Sequence, residues 1–280
     1  MDKTTGIQWC DATWNPWQGC TPVASGCAHC YMFREKRAFG QDPTRVVRSK
    51  EGTFNAPLSW RDPRRIFVCS WSDFFHPAAD EWREGAWRIM AMRPRHTYII
   101  PTKRIERVAD HLPWMKEHRP PWPNVWIGVS ASTDPEFEAM VPVLLDSRLD
   151  VALRFVSLEP LLGPINIEWA LQEIDLGDEE HSAWTHALDW VIVAGESGGP
   201  MNRALCAPLE RCGPYRPIAG RSDWVRSIRD QCREYDVPFF FKGWGGPRPT
   251  SGGRMLDGRE WAESPTGDDG RGKRDEDRER

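Results

Sequence analysis

The sequence predicts an α/β fold, a partial or near-complete (β/α) barrel of parallel strands, and three observations carry that prediction. Short runs rich in β-branched and aromatic residues recur along the chain and alternate with segments whose apolar positions fall at helical spacing. The strand-like runs are continuously apolar, as in sheets buried on both faces. The Gly-x-Gly-x-x-Gly turn of a dinucleotide-binding sheet follows none of them, with Gly195-Glu196-Ser197-Gly198-Gly199 its nearest approach. A doubly wound open sheet stays as the alternative architecture.

Residues 7–13 alternate and end at Asn15-Pro16, which reads as a first strand. Next come Cys20, Cys27 and Cys30 at C-x6-C-x2-C spacing, with Cys10 outside the group. Good helix formers over 28–39, closed by Gly40, predict a helix that begins at the last two cysteines, where free amides and the helix dipole favour anionic sulfur. The Pro-, Gly- and charge-rich residues 41–64 read as an excursion. Strands follow at 65–69, 96–100, 124–129, 153–158, 189–194 and 237–241, making seven with the first. Helices are expected at 79–92, 103–112, 134–146, 167–174 and 222–235.

The whole of 1–262 reads as one domain of this kind. Residues 263–280, nearly all Gly and charged, read as a disordered tail. No apolar run approaches the roughly 20 residues of a membrane helix, and the N-terminus lacks the pattern of a secretory signal. No membrane association and a cytoplasmic, reducing location are therefore expected. There, eight cysteines suit metal or catalytic chemistry better than a disulfide framework. A net charge of −4 gives no global nucleic-acid signature, although residues 34–65 hold nine Lys or Arg against four Asp or Glu. Some of the sixteen tryptophans, such as Trp71, are placed to stack a nucleobase beside that segment.

Three thiolates close together suit a metal centre with one open coordination position, because a closed structural zinc site needs four ligands. Recruitment of Cys10, Cys69 or His29 as fourth ligand would make such a zinc site, and with it a zinc-stabilised nucleic-acid-binding module without catalysis. Cys206 and Cys212 are too widely spaced for a ligand pair and read as unpaired thiols, while Cys69 and Cys232 fall in core patterns. Strand C-terminal ends carry the chemistry of parallel barrels, and here they present Asp73, Lys103, Ser130, Glu159, Glu196 and Lys242.

The cysteine loop, Trp71-Ser72-Asp73-Phe74-Phe75-His76, Pro101-Thr102-Lys103-Arg104, Trp126-Ile127-Gly128-Val129-Ser130, Val156-Ser157-Leu158-Glu159-Pro160 and Phe241-Lys242-Gly243-Trp244-Gly245-Gly246 together resemble the phage Gp37/Gp68-like (DUF5131) family. That family is similar to radical S-adenosylmethionine enzymes. The resemblance implies a [4Fe–4S] cluster on Cys20, Cys27 and Cys30, S-adenosyl-L-methionine on its open iron, and reductive cleavage to a 5′-deoxyadenosyl radical that abstracts a substrate hydrogen. It further implies His29 beside the adenine and Ser72 and Asp73 at the methionyl amine. Lys103 or Ser130 would lie at the methionyl carboxylate and Glu159 or Glu196 at the ribose, with a flavodoxin- or ferredoxin-type electron donor as partner. The commonest spacing in that class is C-x3-C-x2-C, so this chain's first spacer is longer. A nucleic acid base or nucleotide is the expected substrate.

Overall fold

The computed structural model describes residues 5–116, 119–146, 148–172, 174–175, 184–185, 187–209 and 214–265. Seven parallel strands, each hydrogen-bonded to the next in sequence, make one sheet curled into a half-barrel. They are β1 (Ala12–Trp14), β2 (Arg65–Val68), β3 (Thr97–Thr102), β4 (Val125–Ser130), β5 (Arg154–Leu158), β6 (Trp190–Ala194) and β7 (Phe239–Gly243). The partial barrel anticipated from the apolar runs is the observed architecture.

Alternation along the strands divides the core into two. Ile66, Val68, Tyr98, Ile100, Val125, Ile127, Val156, Val191 and Phe239 face outward into a cluster completed by helices α2 (Asp80–Met92), α3 (Asp134–Leu145) and α4 (Arg221–Glu234) on the convex side, while α1 (Tyr31–Ala38) buries Met32 and Phe33 outside that cluster. The opposite parity supplies Ile99, Trp126, Phe155, Trp190, Ile192 and Phe240, which fill the concave side with Trp9 and Cys10. This inner cluster is a floor of rings, with Trp190 packed edge-on against Trp9, Trp126 and Phe240. Above it the inner face turns polar.

Several expected elements differ. The first strand is only Ala12–Trp14, because Ile7 to Cys10 close a turn through Cys10 N–H and Ile7 O at 3.4 Å. The 103–112 helix is two 3-10 turns, Ile105–Arg107 and Ala109–His111, since the Lys103 amide donates to the Asp73 carboxylate and the Arg104 side chain is held by the Thr21 carbonyl. The 167–174 helix shrinks to Glu168–Ala170. Residues 41–64 are more ordered than an excursion: Val47–Arg48 pairs with Trp17–Gln18, and Glu51–Phe54 and Ala56–Ser59 are short helices.

The outer edge of β7 is covered by the returning chain. Phe241 N–H donates to Trp261 O at 2.9 Å and Glu263 N–H to Phe239 O at 3.2 Å, and Ser264 is buried. Glu263 and Ser264 thus pack against this edge, and from 266 the expected tail lies outside the described residues, as does Cys212. Cys206 is a free, buried thiol, and Cys69 and Cys232 sit in the core. No helix among the described residues is long and apolar enough to cross a membrane.

Candidate functional site

The cysteine loop crosses the C-terminal mouth of the half-barrel and is fastened to several of its elements. At its start, Gly19 N–H donates to Trp71 O and Cys20 N–H to Pro43 O, both at 3.0 Å, while Ser72 Oγ donates to Gly19 O at 2.6 Å. Gly19 has a φ of 99°, and a Cβ there would lie 2.2 Å from Arg45 O. Only glycine fits that threading.

Further along, the 3-10 turn Ser25–His29 is held from α3. Glu136 Oε1 accepts from Ser25 N–H at 2.6 Å and Ser25 Oγ at 2.7 Å, and its Oε2 accepts from Ser132 N–H at 2.8 Å. Those bonds hold the Glu136 carboxyl below the ordinary carboxylate value even though partial burial pushes the other way. From the far side Arg203 donates to Ser25 O at 3.1 Å. Gly26 is buried against Ser132, whose Oγ would lie 2.3 Å from a Cβ at 26. Cys30 is the N-cap of α1, which starts three residues later than the helix expected over 28–39, so of the last two cysteines only Cys30 stands at its N-terminus and Cys27 lies in the 3-10 turn.

All three thiols are half-buried, and each neighbourhood differs. Burial, helped by the Asp73 carboxylate, pushes Cys20 up to about 11, against which Arg104 acts from 3.8 Å. Cys30 is also raised by burial; the amides of Met32 and Phe33 at the start of α1 and the Lys103 ammonium oppose this. Metal-free Cys20 and Cys30 are therefore protonated at neutral pH, and a metal must displace those protons to bind. Cationic groups and amide donors aimed at the sulfurs suit thiolates that carry a metal–sulfur group. No three His, Cys, Asp or Glu side chains among the described residues are grouped as ligands of a single ion. A cluster, whose thiolates sit on separate irons, needs no such tight grouping.

Beyond the loop, the inner parity of the strands continues into a polar row across the mouth. Lys103 follows Ile99 and Pro101, Ser130 follows Trp126 and Gly128, Glu159 follows Phe155 and Ser157, and Lys242 follows Phe240. They touch in series. Lys103 Nζ bonds Ser130 Oγ and, at 3.2 Å, Ser130 O; Ser130 Oγ lies 3.5 Å from Glu159 O; and Glu159 pairs with Lys242. The Glu159–Lys242 side chains are 30% and 24% exposed, so a ligand can reach them.

Other expected site residues are committed to the protein itself. Asp73 is buried, with Oδ1 accepting from Thr102 Oγ1 at 2.8 Å and Phe75 N–H at 2.9 Å, and Oδ2 accepting from Lys103 N–H at 2.9 Å beside Arg104 at 3.3 Å. It offers no unengaged oxygen to a cofactor amine. Ser72 spends its hydroxyl on Gly19 O. Glu196 is buried in a two-pronged pair with Arg203, both bonds 2.8 Å, which leaves Glu159 as the rim carboxylate of the two. His29 is exposed on the 3-10 turn. Within the basic segment, Arg48 stacks on Phe54 and pairs with Glu51, and Arg64 lies over Trp60, while Arg45, Lys50 and Arg61 are exposed.

Sequence reasoning missed Arg104, Thr21, His76 and Glu136. Arg104 sits in a quoted motif, and its burial is the signal that motif does not carry; Glu136 looks like any helix-face acid. A depression of about 500 Å³ lined by Trp114, Met115, Arg119, Pro120 and Asp150 lies toward the strand N-terminal ends, away from the mouth where barrel chemistry resides.

A family model described as "Protein of unknown function (DUF5131)" matches residues 4–265. No curated protein and no solved structure matches the chain.

Proposed function

We propose that this chain, which belongs to the DUF5131 family, holds a [4Fe–4S] cluster on Cys20, Cys27 and Cys30 and works as a radical S-adenosylmethionine enzyme. One observation carries the reading: three half-buried thiols share one fastened loop at the mouth of a parallel half-barrel, with a guanidinium at Cys20 and an ammonium and helix amides near Cys30. Bound together, cluster and S-adenosylmethionine supply a 5′-deoxyadenosyl radical able to take a hydrogen from substrate.

The chain's own residues bind and orient. Lys103, held over the inner face by Ser130, is the cation for the methionyl carboxylate. Glu159 serves the ribose hydroxyls, since Glu196 is committed to Arg203. His29 flanks the adenine from the exposed turn. The ring floor beneath this row keeps water from the inner face. A nucleic acid base or nucleotide is the substrate we favour, supported by half-buried Trp71 on the rim and exposed Arg45 and Lys50 beside the loop. The electron comes from a flavodoxin- or ferredoxin-type donor, which places the protein in a reducing compartment such as the cytoplasm.

Anaerobic reconstitution with iron and sulfide tests the reading. A full cluster per chain, lost on substitution of any of the three cysteines, and 5′-deoxyadenosine formed on reduction with S-adenosylmethionine are the expected results. Stoichiometric zinc with no such cleavage would overturn it in favour of a zinc-stabilised nucleic-acid-binding module.

A further inference from the structure

Arg104 occupies an unusual place. Its side chain is 6% exposed, and its guanidinium is held from three sides. Nη1 points to Cys20 Sγ at 3.8 Å and lies 3.3 Å from Asp73 Oδ2, while Nη2 donates to Thr21 O at 2.8 Å and Thr21 Oγ1 at 2.9 Å. Thr21 is itself pinned. His76 Nδ1 accepts from Ala78 N–H at 3.1 Å, which assigns the ring proton to Nε2, and Nε2 donates to Thr21 Oγ1 at 3.0 Å. Asp73 is fixed in turn by Thr102 and the Phe75 and Lys103 amides.

The result is a permanent positive charge, rigidly oriented and largely dry, directed at one of the three cysteine sulfurs. A fold that needed only a counter-ion for Asp73 would not also require that charge to reach the Cys20 sulfur. Neither of the other two thiols has a guanidinium partner among the described residues.

We propose that Arg104 is a positioning residue that raises the reduction potential of the centre bound through Cys20, so that a low-potential donor can reduce it. The inference rests on the cluster reading above. Its sign follows from charge. One-electron reduction adds a negative charge to the centre, a nearby cation stabilises the reduced form more than the oxidised form, and donors to a ligand sulfur act in the same direction. Asp73 plays the opposing part: it holds Arg104 in place and partly offsets its charge.

The test is an EPR-monitored redox titration of anaerobically reconstituted protein, using dithionite as reductant, on wild type, Arg104→Gln, Arg104→Lys and Asp73→Asn. Iron and sulfide content and circular dichroism are measured on each. Arg104→Gln should keep the cluster and shift its midpoint to more negative potential. Arg104→Lys should restore part of that shift, because the charge returns without the fork. Asp73→Asn should move the midpoint the other way, to less negative potential, since the guanidinium loses its anionic offset.

Opposite signs at Arg104 and Asp73 are the signature of a charge effect, whereas a merely structural pair would give two losses of the same kind. If wild type takes up no cluster, the parent reading fails. A wild type that loads normally, with midpoints unchanged in Arg104→Gln and Asp73→Asn, overturns the inference alone, and so does a shift of the same sign in both. Should Arg104→Gln fail to fold, Arg104→Lys and Asp73→Asn decide the matter against wild type.

Discussion

Glu136 is the strongest handle on the cysteine loop. It makes three short bonds, two to Ser25 and one to Ser132, and joins α3 to the turn that carries Cys27. In Glu136→Gln only one end of the side chain can still accept, so either the Ser25 pair or the Ser132 bond is lost. Hydrogen bonds to charged groups contribute about 1.5–3 kcal/mol each. Glu136 is only partly buried, and solvent replaces some of what is lost, so the local cost should be about 2 kcal/mol. Divided by the ~1.4 kcal/mol that corresponds to tenfold, this is roughly 30-fold more frequent opening of the turn. Hydrogen-exchange mass spectrometry on metal-free protein reads it directly in peptides covering residues 24–31. Because the folded-state value of Glu136 lies below its ordinary 4.5, its contribution is complete above that pH and is lost as the pH falls through the folded value. The wild-type turn should therefore approach the exchange of the variant only in acid. Exchange of these peptides within twofold of wild type at neutral pH would refute the latch.

Gly26→Ala should destabilise the protein by about 1–3 kcal/mol through overpacking against Ser132, and Ser132→Ala should recover part of that loss in a double-mutant cycle followed by denaturant unfolding. His76 and His96 are buried and held below their ordinary 6.5, in both cases by burial first. The unfolded chain then binds protons that the folded chain refuses, so stability should be flat above pH 6.5 and fall as the pH drops below it; equal urea midpoints at pH 7.5 and 5.5 would contradict this. Glu159→Gln removes a partly exposed ion pair and should cost at most about 1 kcal/mol in thermal unfolding. In reconstituted protein the same change should weaken calorimetric binding of S-adenosylhomocysteine, and unaltered affinity would remove Glu159 from the ribose role.

What the chain discloses before folding depends on whether the cause is local. Runs such as Trp190–Ala194 and Phe239–Gly243 are apolar at every position or nearly so, and a strand buried on both faces leaves that mark regardless of its neighbours. The cysteine spacing is equally local, as is the start of α1 beside Cys30. The character of Asp73 and Glu196 is not. Both look like strand-end carboxylates ready for a ligand, and what commits them lies outside the strand pattern: Thr102 and Arg104, from the next strand end, for one, and Arg203, seven residues on and folded back by the loop, for the other. The 103–112 segment fails for the same reason. Its periodicity is helical, but Arg104 and the Lys103 amide are held by Thr21 and Asp73, and only 3-10 turns remain.

The six-residue spacer between Cys20 and Cys27 becomes intelligible on the same terms. Its first residue, Thr21, receives bonds from Arg104, just past β3, and from His76, ahead of α2. Its last two, Ser25 and Gly26, are gripped by Glu136 of α3 and fitted against Ser132 beyond β4. Between them Val23 is 53% exposed. The loop therefore has two anchorages on different strand–helix units with an exposed arch between them. The anchorage at Thr21 brings Cys20 beside the guanidinium, and the anchorage at Ser25 fixes the turn bearing Cys27. The two anchorages thus give the first two thiols different surroundings, one beside a buried charge and the other on a latched turn, while the third borrows the start of a helix.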